Sequence, residues 1–446
     1  MSAPAVVRAS IPGKGIGLVA ARDIAAGECV VREPRAVLCG VAEAFRQDVC
    51  ARCLSFRGAD GASPPPPCAG CGRVRLCGAN GACAWDDLGH GPVACAAETL
   101  ARDLALARAD AERLRFLAAC ADLRARARLD PARVDAAARH AAMVSLCPDH
   151  DAPPPPRELA AAARLRDLLA RAAAASPALA PAADAIAGTV AENAALLAKE
   201  AHNAFGIMAP ATPNDPERHV RGGAVYDLAS RVNHDCFPNV ARFDNFDGDV
   251  SREGSGFPSD PAANAVAAAP DELRLIAIDR IPAGTEITMS YLPVSEPVGR
   301  RRRRIRDTFG FSCECERCRL ETAWAREDGD PTGDETNVAG SNPGVGADAF
   351  FTAEGEAAAE ARAAAAEEAM EEEEGRRAAS LDDAERERRA DRMPPEFAMW
   401  FARNMCPEEG CGGTLAPPNT TADHMTCNYC GRRRTDEEFF RALTGE

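Results

Sequence analysis

Residues 231–239, RVNHDCFPN, bring together side chains that a regular helix or strand seldom combines. Asn233 offers an amide, His234 an imidazole, and Cys236 a thiol that binds metal once it is deprotonated. Pro238 has no backbone N–H and restricts the residue before it to an extended conformation. The sequence therefore predicts a loop of fixed shape, built from groups that bind ligands or metal ions.

Cysteine is abundant, with 19 among 446 residues. The N-terminal residues lack the apolar run of a secretory signal, and no window approaches the ~20 apolar residues of a membrane-spanning helix. Many cysteines without such a signal favour metal ligation in a reducing compartment over disulfide bonds. The net charge of −16 argues against nonspecific binding of nucleic acid. We therefore expect neither a membrane nor a nucleic-acid partner.

The first cysteine-rich stretch, residues 50–95, contains short C-x2-C pairs, in which one turn presents two thiolates to a single ion. Its eight candidate ligands suffice for two tetrahedral zinc sites. They are Cys50, Cys53, Cys68, Cys71, Cys77, Cys83, His90 and Cys95. The alternative is a set of scattered buried cysteines, which the succession of pairs disfavours.

Two further cysteine groups follow towards the C-terminus. Cys313, Cys315 and Cys318 supply three thiolates and leave one position of a tetrahedral site open. Two later pairs, each closely followed by glycine, are typical of a zinc ribbon. The candidate ribbon ligands are Cys406, Cys411, Cys427 and Cys430, with His424 as a possible substitute. All groups together predict about four zinc ions.

The rest of the chain divides by composition. Residues 5–40 and 206–292 contain short apolar runs between turn signals, which predicts strands. Residues 96–205 are rich in Ala, Leu and Arg at helical spacing, which predicts a helical region. Residues 322–395 are polar, acidic and poor in aromatic side chains, which predicts a linker.

Three motifs in this order resemble the core of a SET-domain protein lysine methyltransferase. They are the 231–239 loop, the sequence GTEITMSY at 284–291, and the cysteine triplet that begins at Cys313. The stretch 50–95 resembles a MYND zinc finger, and a SET domain interrupted by a MYND finger is the layout of the SMYD (SET and MYND) family. The resemblance implies an α+β chain. Its SET fold would have small β-sheets and a knotted C-terminal segment, with an inserted finger and helical region and a C-terminal zinc ribbon.

The resemblance also implies a domain order. We expect the N-terminal part of the SET domain (1–49), the MYND finger (50–95), a helical insert (96–200), the SET core (201–295), a post-SET zinc segment (296–320), an acidic linker (321–395) and the zinc ribbon (396–446).

The family's roles carry over to positions that match its motifs. Tyr291 would be the catalytic residue that orients a substrate lysine amine, and Phe309 would share the lysine channel. Many relatives have tyrosine at the position of Phe309, a difference that bears on how many methyl groups are added. The residues that would bind S-adenosylmethionine are Lys14, Gly15, Ile16, Asn203, Asn233, His234 and Phe311.

The resemblance assigns the zinc ligands to sites as well. Cys236 would be the fourth ligand of the triplet Cys313, Cys315 and Cys318. Interleaving in the finger would give one site of Cys50, Cys53, Cys77 and Cys83 and another of Cys68, Cys71, His90 and Cys95.

Other interpretations stay open. A catalytically silent adaptor would bind proline-rich partners through the finger, although the presence of Asn233 and Tyr291 disfavours it. A zinc-ribbon protein that binds nucleic acid is disfavoured by the acidic charge. The arginine run 300–304 predicts the solvated face of a helix, with a nuclear signal or a patch for an acidic partner as alternatives. We expect a monomer in the nucleus, the cytoplasm or both, acting on a histone or another protein substrate.

Overall fold

The structure is a computed structural model with short strands, small sheets and helices, the α+β class that the family resemblance implies. It describes residues 4–33, 35–56, 66–76, 90–129, 134–147, 153–209, 219–244, 272–327, 394–408 and 411–444. Cys77, Cys83 and most of the predicted linker lie outside these ranges.

The strands are short and form five small sheets within the described residues. The strands are β1 (Val6–Ile11), β2 (Gly15–Ala20), β3 (Cys29–Glu33), β4 (Leu38–Val41), β5 (Phe205–Met208), β6 (Val220–Val225), β7 (Asn233–His234), β8 (Val240–Asp244), β9 (Leu273–Ala277), β10 (Thr288–Met289), β11 (Leu415–Ala416), β12 (His424–Cys427) and β13 (Arg433–Thr435). The sheet orders are β1–β2, β3–β9–β8, β4–β6–β5, β10–β7 and β11–β12–β13. The pair β7–β10 is parallel, and the others are antiparallel.

The helices concentrate between residues 92 and 203. The described helices are α1 (Pro92–Asp103), α2 (Arg108–Leu129), α3 (Val134–Val144), α4 (Pro156–Ala174), α5 (Ala183–Ala187), α6 (Val190–Asn203), α7 (Val298–Phe309), α8 (Glu316–Glu327), α9 (Pro395–Asn404) and α10 (Asp436–Thr444). Helices α6 and α8 continue past the expected boundaries at 200 and 320. None of the helices in the described ranges is long and apolar enough to cross a membrane.

Two apolar cores support the molecule. The helices α1 to α6 share one core, in which Leu114, Leu117 and Leu169 are fully buried. A second large core, around Leu18 and Leu275, lies beneath the sheets that precede the ribbon, and the ribbon strands pack in a smaller cluster. Burial of a leucine side chain contributes about 1.5–3 kcal/mol. The strands that carry the 231–239 loop therefore rest on a core of their own.

A buried carboxylate fixes the approach to this loop. Glu33, at the end of β3, accepts hydrogen bonds from the backbone N–H groups of Asp227 (2.8 Å), Leu228 (3.0 Å) and Ala229 (2.6 Å). Burial raises the pKa of Glu33, whereas the three amide donors favour its ionised form. These amides open the short 3-10 turn Ala229–Arg231, which leads directly into β7.

Glu33→Ala should lower the free energy of unfolding by about 2–3 kcal/mol, because it leaves buried backbone donors without an acceptor. Urea unfolding measures the change. The matched control is Glu437→Ala, whose side chain is 81% exposed on α10 and should change stability little. Equal unfolding midpoints for both variants would contradict this role of Glu33.

Candidate active site and zinc centres

The 231–239 loop and the segment that contains β10 form one hydrogen-bonded unit. The parallel pairing sets Asn233 opposite Thr288. The side chain of Asn239 donates to the carbonyl of Glu286 at 2.7 Å and accepts from the N–H of Thr288 at 2.9 Å. Asp235 N–H also donates to the carbonyl of Met289 at 3.0 Å. Two motifs that lie far apart in the sequence therefore act as one rigid element.

His234 connects this element to a thiol cluster. Its Nδ1 accepts the backbone N–H of Tyr291 at 3.0 Å. The proton of the neutral ring therefore lies on Nε2, which is 3.2 Å from Cys236 Sγ and donates to it. Burial lowers the pKa of His234 to about 4, so the imidazole is neutral at physiological pH.

The thiols of the cysteine triplet meet Cys236 at one point, where the four sulfurs lie within 4.8 Å of one another. We call this set the core cluster; its members are Cys236, Cys313, Cys315 and Cys318. The sulfur of Cys236 is 3.9 Å from that of Cys313 and 3.5 Å from that of Cys318. Four thiolates in this arrangement are a donor set for a structural zinc ion.

A fully buried arginine faces the core cluster. Arg301 is 0% exposed and donates from Nε to Cys236 Sγ at 3.3 Å and from Nη2 to Cys318 Sγ at 3.8 Å. Its Nη2 also donates to Glu321 at 2.6 Å. Zinc with four thiolates is a dianion, so a guanidinium beside the sulfurs offsets part of the charge. The arginine run lies on a helix as expected, but Arg301 is inside the protein rather than on a solvated face.

The aromatic ring of Tyr291 lies beside His234 and Phe309, with ring centroids 5.2 and 4.8 Å apart, respectively. Its hydroxyl donates to the carbonyl of Val232 at 2.7 Å. Burial raises the pKa of the Tyr291 phenol, which therefore stays protonated at physiological pH. Tyr291 thus presents a hydroxyl dipole next to an aromatic wall.

Phe311 lies close to the same ring system. Gly310, with φ of +75°, ends α7 in the left-handed conformation that glycine adopts without strain. The turn brings the ring of Phe311 to 6.3 Å from that of His234, while 38% of Phe311 remains exposed. An aromatic face is therefore available for stacking at the edge of the site.

The predicted cofactor loop approaches this unit from the β1–β2 hairpin. Lys14 Nζ lies 2.8 Å from one carboxylate oxygen of Glu286, and Asn233 Nδ2 donates to the other at 2.8 Å. A Cβ atom on Gly17 would lie 2.7 Å from Asn233 Nδ2, so only glycine permits this approach. Gly15 and Ile16 begin β2 and are exposed. Nothing in the sequence pattern marks Glu286 as part of the site, although it lies inside the GTEITMSY motif.

Asn203 ends α6 and is buried. Its amide nitrogen donates to the carbonyls of Lys199, at 2.7 Å, and Cys147. Its backbone carbonyl accepts from Ser230 Oγ at 2.9 Å, close to the start of the 231–239 loop. The side-chain oxygen is therefore the atom of Asn203 that is suited to meet a ligand.

Two other clusters bring predicted zinc ligands together. The finger cluster and the ribbon cluster each gather four ligand atoms within 4.8 Å. They are Cys68, Cys71, His90 and Cys95 in the finger and Cys406, Cys411, Cys427 and Cys430 in the ribbon. Cys50 and Cys53 are buried side by side, and their expected partners lie outside the described residues. His424 instead lies 2.9 Å from Asp423 and is not among the ribbon ligands.

A comparison with protein families matches residues 15–292 to the SET domain, which is more than half of the chain. The chain belongs to the SET-domain family. The SET match begins in the β1–β2 hairpin and ends just after Tyr291, so it contains the 231–239 loop.

Several known proteins are similar in sequence to parts of this chain. Histone-lysine N-methyltransferase ASHR2 of Arabidopsis thaliana is 32% identical over 252 residues, which cover 55% of this chain and 52% of the relative. A SET and MYND domain-containing protein of Dictyostelium discoideum is 30% identical over 97 residues, 22% of each chain. The chain thus spans about half the length of the Arabidopsis relative.

A solved structure of the SET domain of LSMT bound to lysine and AdoHcy aligns with a TM-score of 0.31 and 12% identity. The alignment covers 68% of this chain and 55% of the LSMT chain.

Cys236→Ser should remove one zinc ion from each protein chain, because the core cluster loses a thiolate ligand. Elemental analysis of the purified protein, with about four ions expected in the unchanged chain, measures the difference. Cys29→Ser is the matched control, since Cys29 is exposed and lies outside the clusters. An unchanged zinc content in Cys236→Ser would show that the core cluster does not hold the metal.

Proposed function

We propose that this protein is an S-adenosylmethionine-dependent protein lysine methyltransferase of the SMYD type. One observation carries the proposal: Asn233, His234 and Tyr291 belong to a single hydrogen-bonded unit beside the core cluster. Tyr291 alone would be an ordinary partly buried tyrosine. Joined to a loop with ligand-binding side chains, it becomes part of a site that can hold two reactants.

The cofactor, when bound, supplies a methyl group on a positively charged sulfur, and the protein supplies position. A free lysine with a pKa of ~10.4 is about 0.1% neutral near pH 7.4, yet only the neutral amine can accept a methyl group. The rings of Tyr291 and Phe309 form an aromatic wall that disfavours the ammonium form. The protonated hydroxyl of Tyr291 would orient the amine. Correct placement accounts for most of the remaining rate enhancement.

The residues around the loop suit this cofactor. Gly17 lets the hairpin backbone come close to Asn233, and the exposed Gly15 leaves room for a ligand. The amide nitrogen of Asn233 is bound to Glu286, so its oxygen is the atom that would accept a hydrogen bond from the amino group of the cofactor. Phe311 offers a half-exposed ring for the adenine.

The SMYD assignment rests on the finger. Cys68, Cys71, His90 and Cys95 gather around one point in the order that MYND interleaving requires. The similarity to a SET and MYND domain-containing protein supports the same assignment. The partial similarity to a histone-lysine N-methyltransferase supports a protein lysine as the methyl acceptor.

Tyr291→Phe should reduce the rate of methyl transfer by about 10²-fold or more, because the hydroxyl that orients the amine is lost. The affinity for the cofactor should change by less than about threefold, since the aromatic ring is kept. Transfer of labelled methyl from S-adenosylmethionine to histones and to a cell lysate measures the rate. Tyr429→Phe, on an exposed ribbon tyrosine, is the matched control.

Two results would contradict the proposal. Failure of the intact, zinc-loaded protein to bind S-adenosylmethionine would exclude a methyltransferase. Cofactor binding without transfer to any protein would favour the adaptor interpretation instead.

A further inference from the structure

The residue that follows Cys236 is held by the C-terminal part of the chain. The ring of Phe237 packs on Phe397, Trp400 and Phe401 of α9, with ring centroids 4.5, 4.7 and 6.1 Å away, respectively. The three partners are spaced so that they share one face of the helix. Phe397 and Trp400 are 5% and 8% exposed, so this is an interior contact.

Helix α9 is continuous with the zinc ribbon. The residue after the helix, Met405, pairs with Thr414, and the N–H of Cys406 donates to the carbonyl of Gly413 at 3.0 Å. Ala416 of β11 is buried in the same apolar cluster as Trp400. The ribbon cluster therefore fixes the base of the helix that holds Phe237.

A buried arginine makes a second link between the same parts. Arg317 donates from Nη1 to the carbonyls of Cys236 (3.3 Å) and Val294 (2.7 Å). Its guanidinium also lies 4.3 Å from the centroid of the Phe401 ring, as in a cation–π contact. Arg317 thus joins the backbone of a core-cluster ligand to α9.

The ribbon also touches two turns of the SET domain. A Cβ atom on Gly27, whose φ is +75°, would lie 2.2 Å from the carbonyl oxygen of Asn419. A Cβ atom on Gly412 would lie 3.0 Å from Pro293. The first contact is with backbone and the second with a proline side chain, so the ribbon packs directly on the SET domain.

We propose that the C-terminal zinc ribbon is a positioning element of the methyl-donor site and that it acts through Phe237. The inference deepens the proposed function and rests on it. Phe237 lies three residues after His234, and Pro238 stiffens the backbone beyond it. When α9 holds the Phe237 ring, Asn233 and His234 keep the places in which they meet the cofactor. A displacement of about 1 Å at such a site lowers rates by about 10²-fold.

The test replaces the aromatic contact in the full-length, zinc-loaded protein. Trp400→Leu should weaken S-adenosylmethionine binding about tenfold and increase amide hydrogen exchange at 232–239. Trp400→Phe keeps an aromatic ring, so the cofactor affinity and the hydrogen exchange at 232–239 should stay within about threefold of the values for the unchanged protein. Met399→Ala changes the neighbouring residue, which is 49% exposed on the same helix, and should alter neither.

Cys430→Ser removes a ligand of the ribbon cluster and should weaken the packing of α9 on Phe237. It should increase hydrogen exchange at residues 232–239, and elemental analysis should show the loss of one zinc ion from the total. Phe401→Leu is a milder substitution if Trp400→Leu does not fold, since Phe401 is only partly buried.

The outcomes separate the two proposals. Absence of cofactor binding in the unchanged protein overturns the methyltransferase proposal, whereas exchange at 232–239 still tests the role of the ribbon. Folded Trp400→Leu or Phe401→Leu protein with unchanged exchange and unchanged cofactor affinity would overturn the positioning role.

Discussion

The sulfurs of the core cluster impose the constraint on which the rest of the site depends. Four thiolates within 4.8 Å of one another repel strongly unless a cation lies between them. A structural zinc ion can contribute about 10–16 kcal/mol to the folding of a small module. A bound ion would hold Cys236, and therefore the neighbouring loop, against the C-terminal helices. The donors His234 and Arg301 complete the arrangement from either side.

His234 gives this constraint a chemical consequence. One ring nitrogen is directed to the metal ligand Cys236 and the other to the backbone of Tyr291. The position of Tyr291 is therefore coupled to the core cluster through one neutral imidazole. The ribbon acts on the same loop from a different direction, through Phe237. The core cluster, the 231–239 loop and the ribbon thus pack as one unit, although they come from distant parts of the chain.

Sequence patterns predicted the three ligand sets that gather in the described residues, but not the residues that pack around them. Cys68, Cys71, His90 and Cys95 follow from spacing combined with family interleaving, because each pair of ligands is local in sequence. The role of Glu286 and the burial of Arg301 could not be predicted in this way. Both depend on residues that approach only after folding. A run of arginines is typical of a solvated surface, and the nearby thiolates together with Glu321 make it favourable to bury one of them. The docking of the ribbon also depends on long-range packing.

The central claim is that metal and methyl donor share one loop, and calorimetric titration tests it most directly. S-adenosylmethionine is titrated into the intact, zinc-loaded protein and into the Cys236→Ser variant. The intact chain should bind one cofactor, and the variant should bind it with an affinity that is lower by roughly tenfold or more. Equal affinity in a variant that has lost the zinc ion of the core cluster would contradict it.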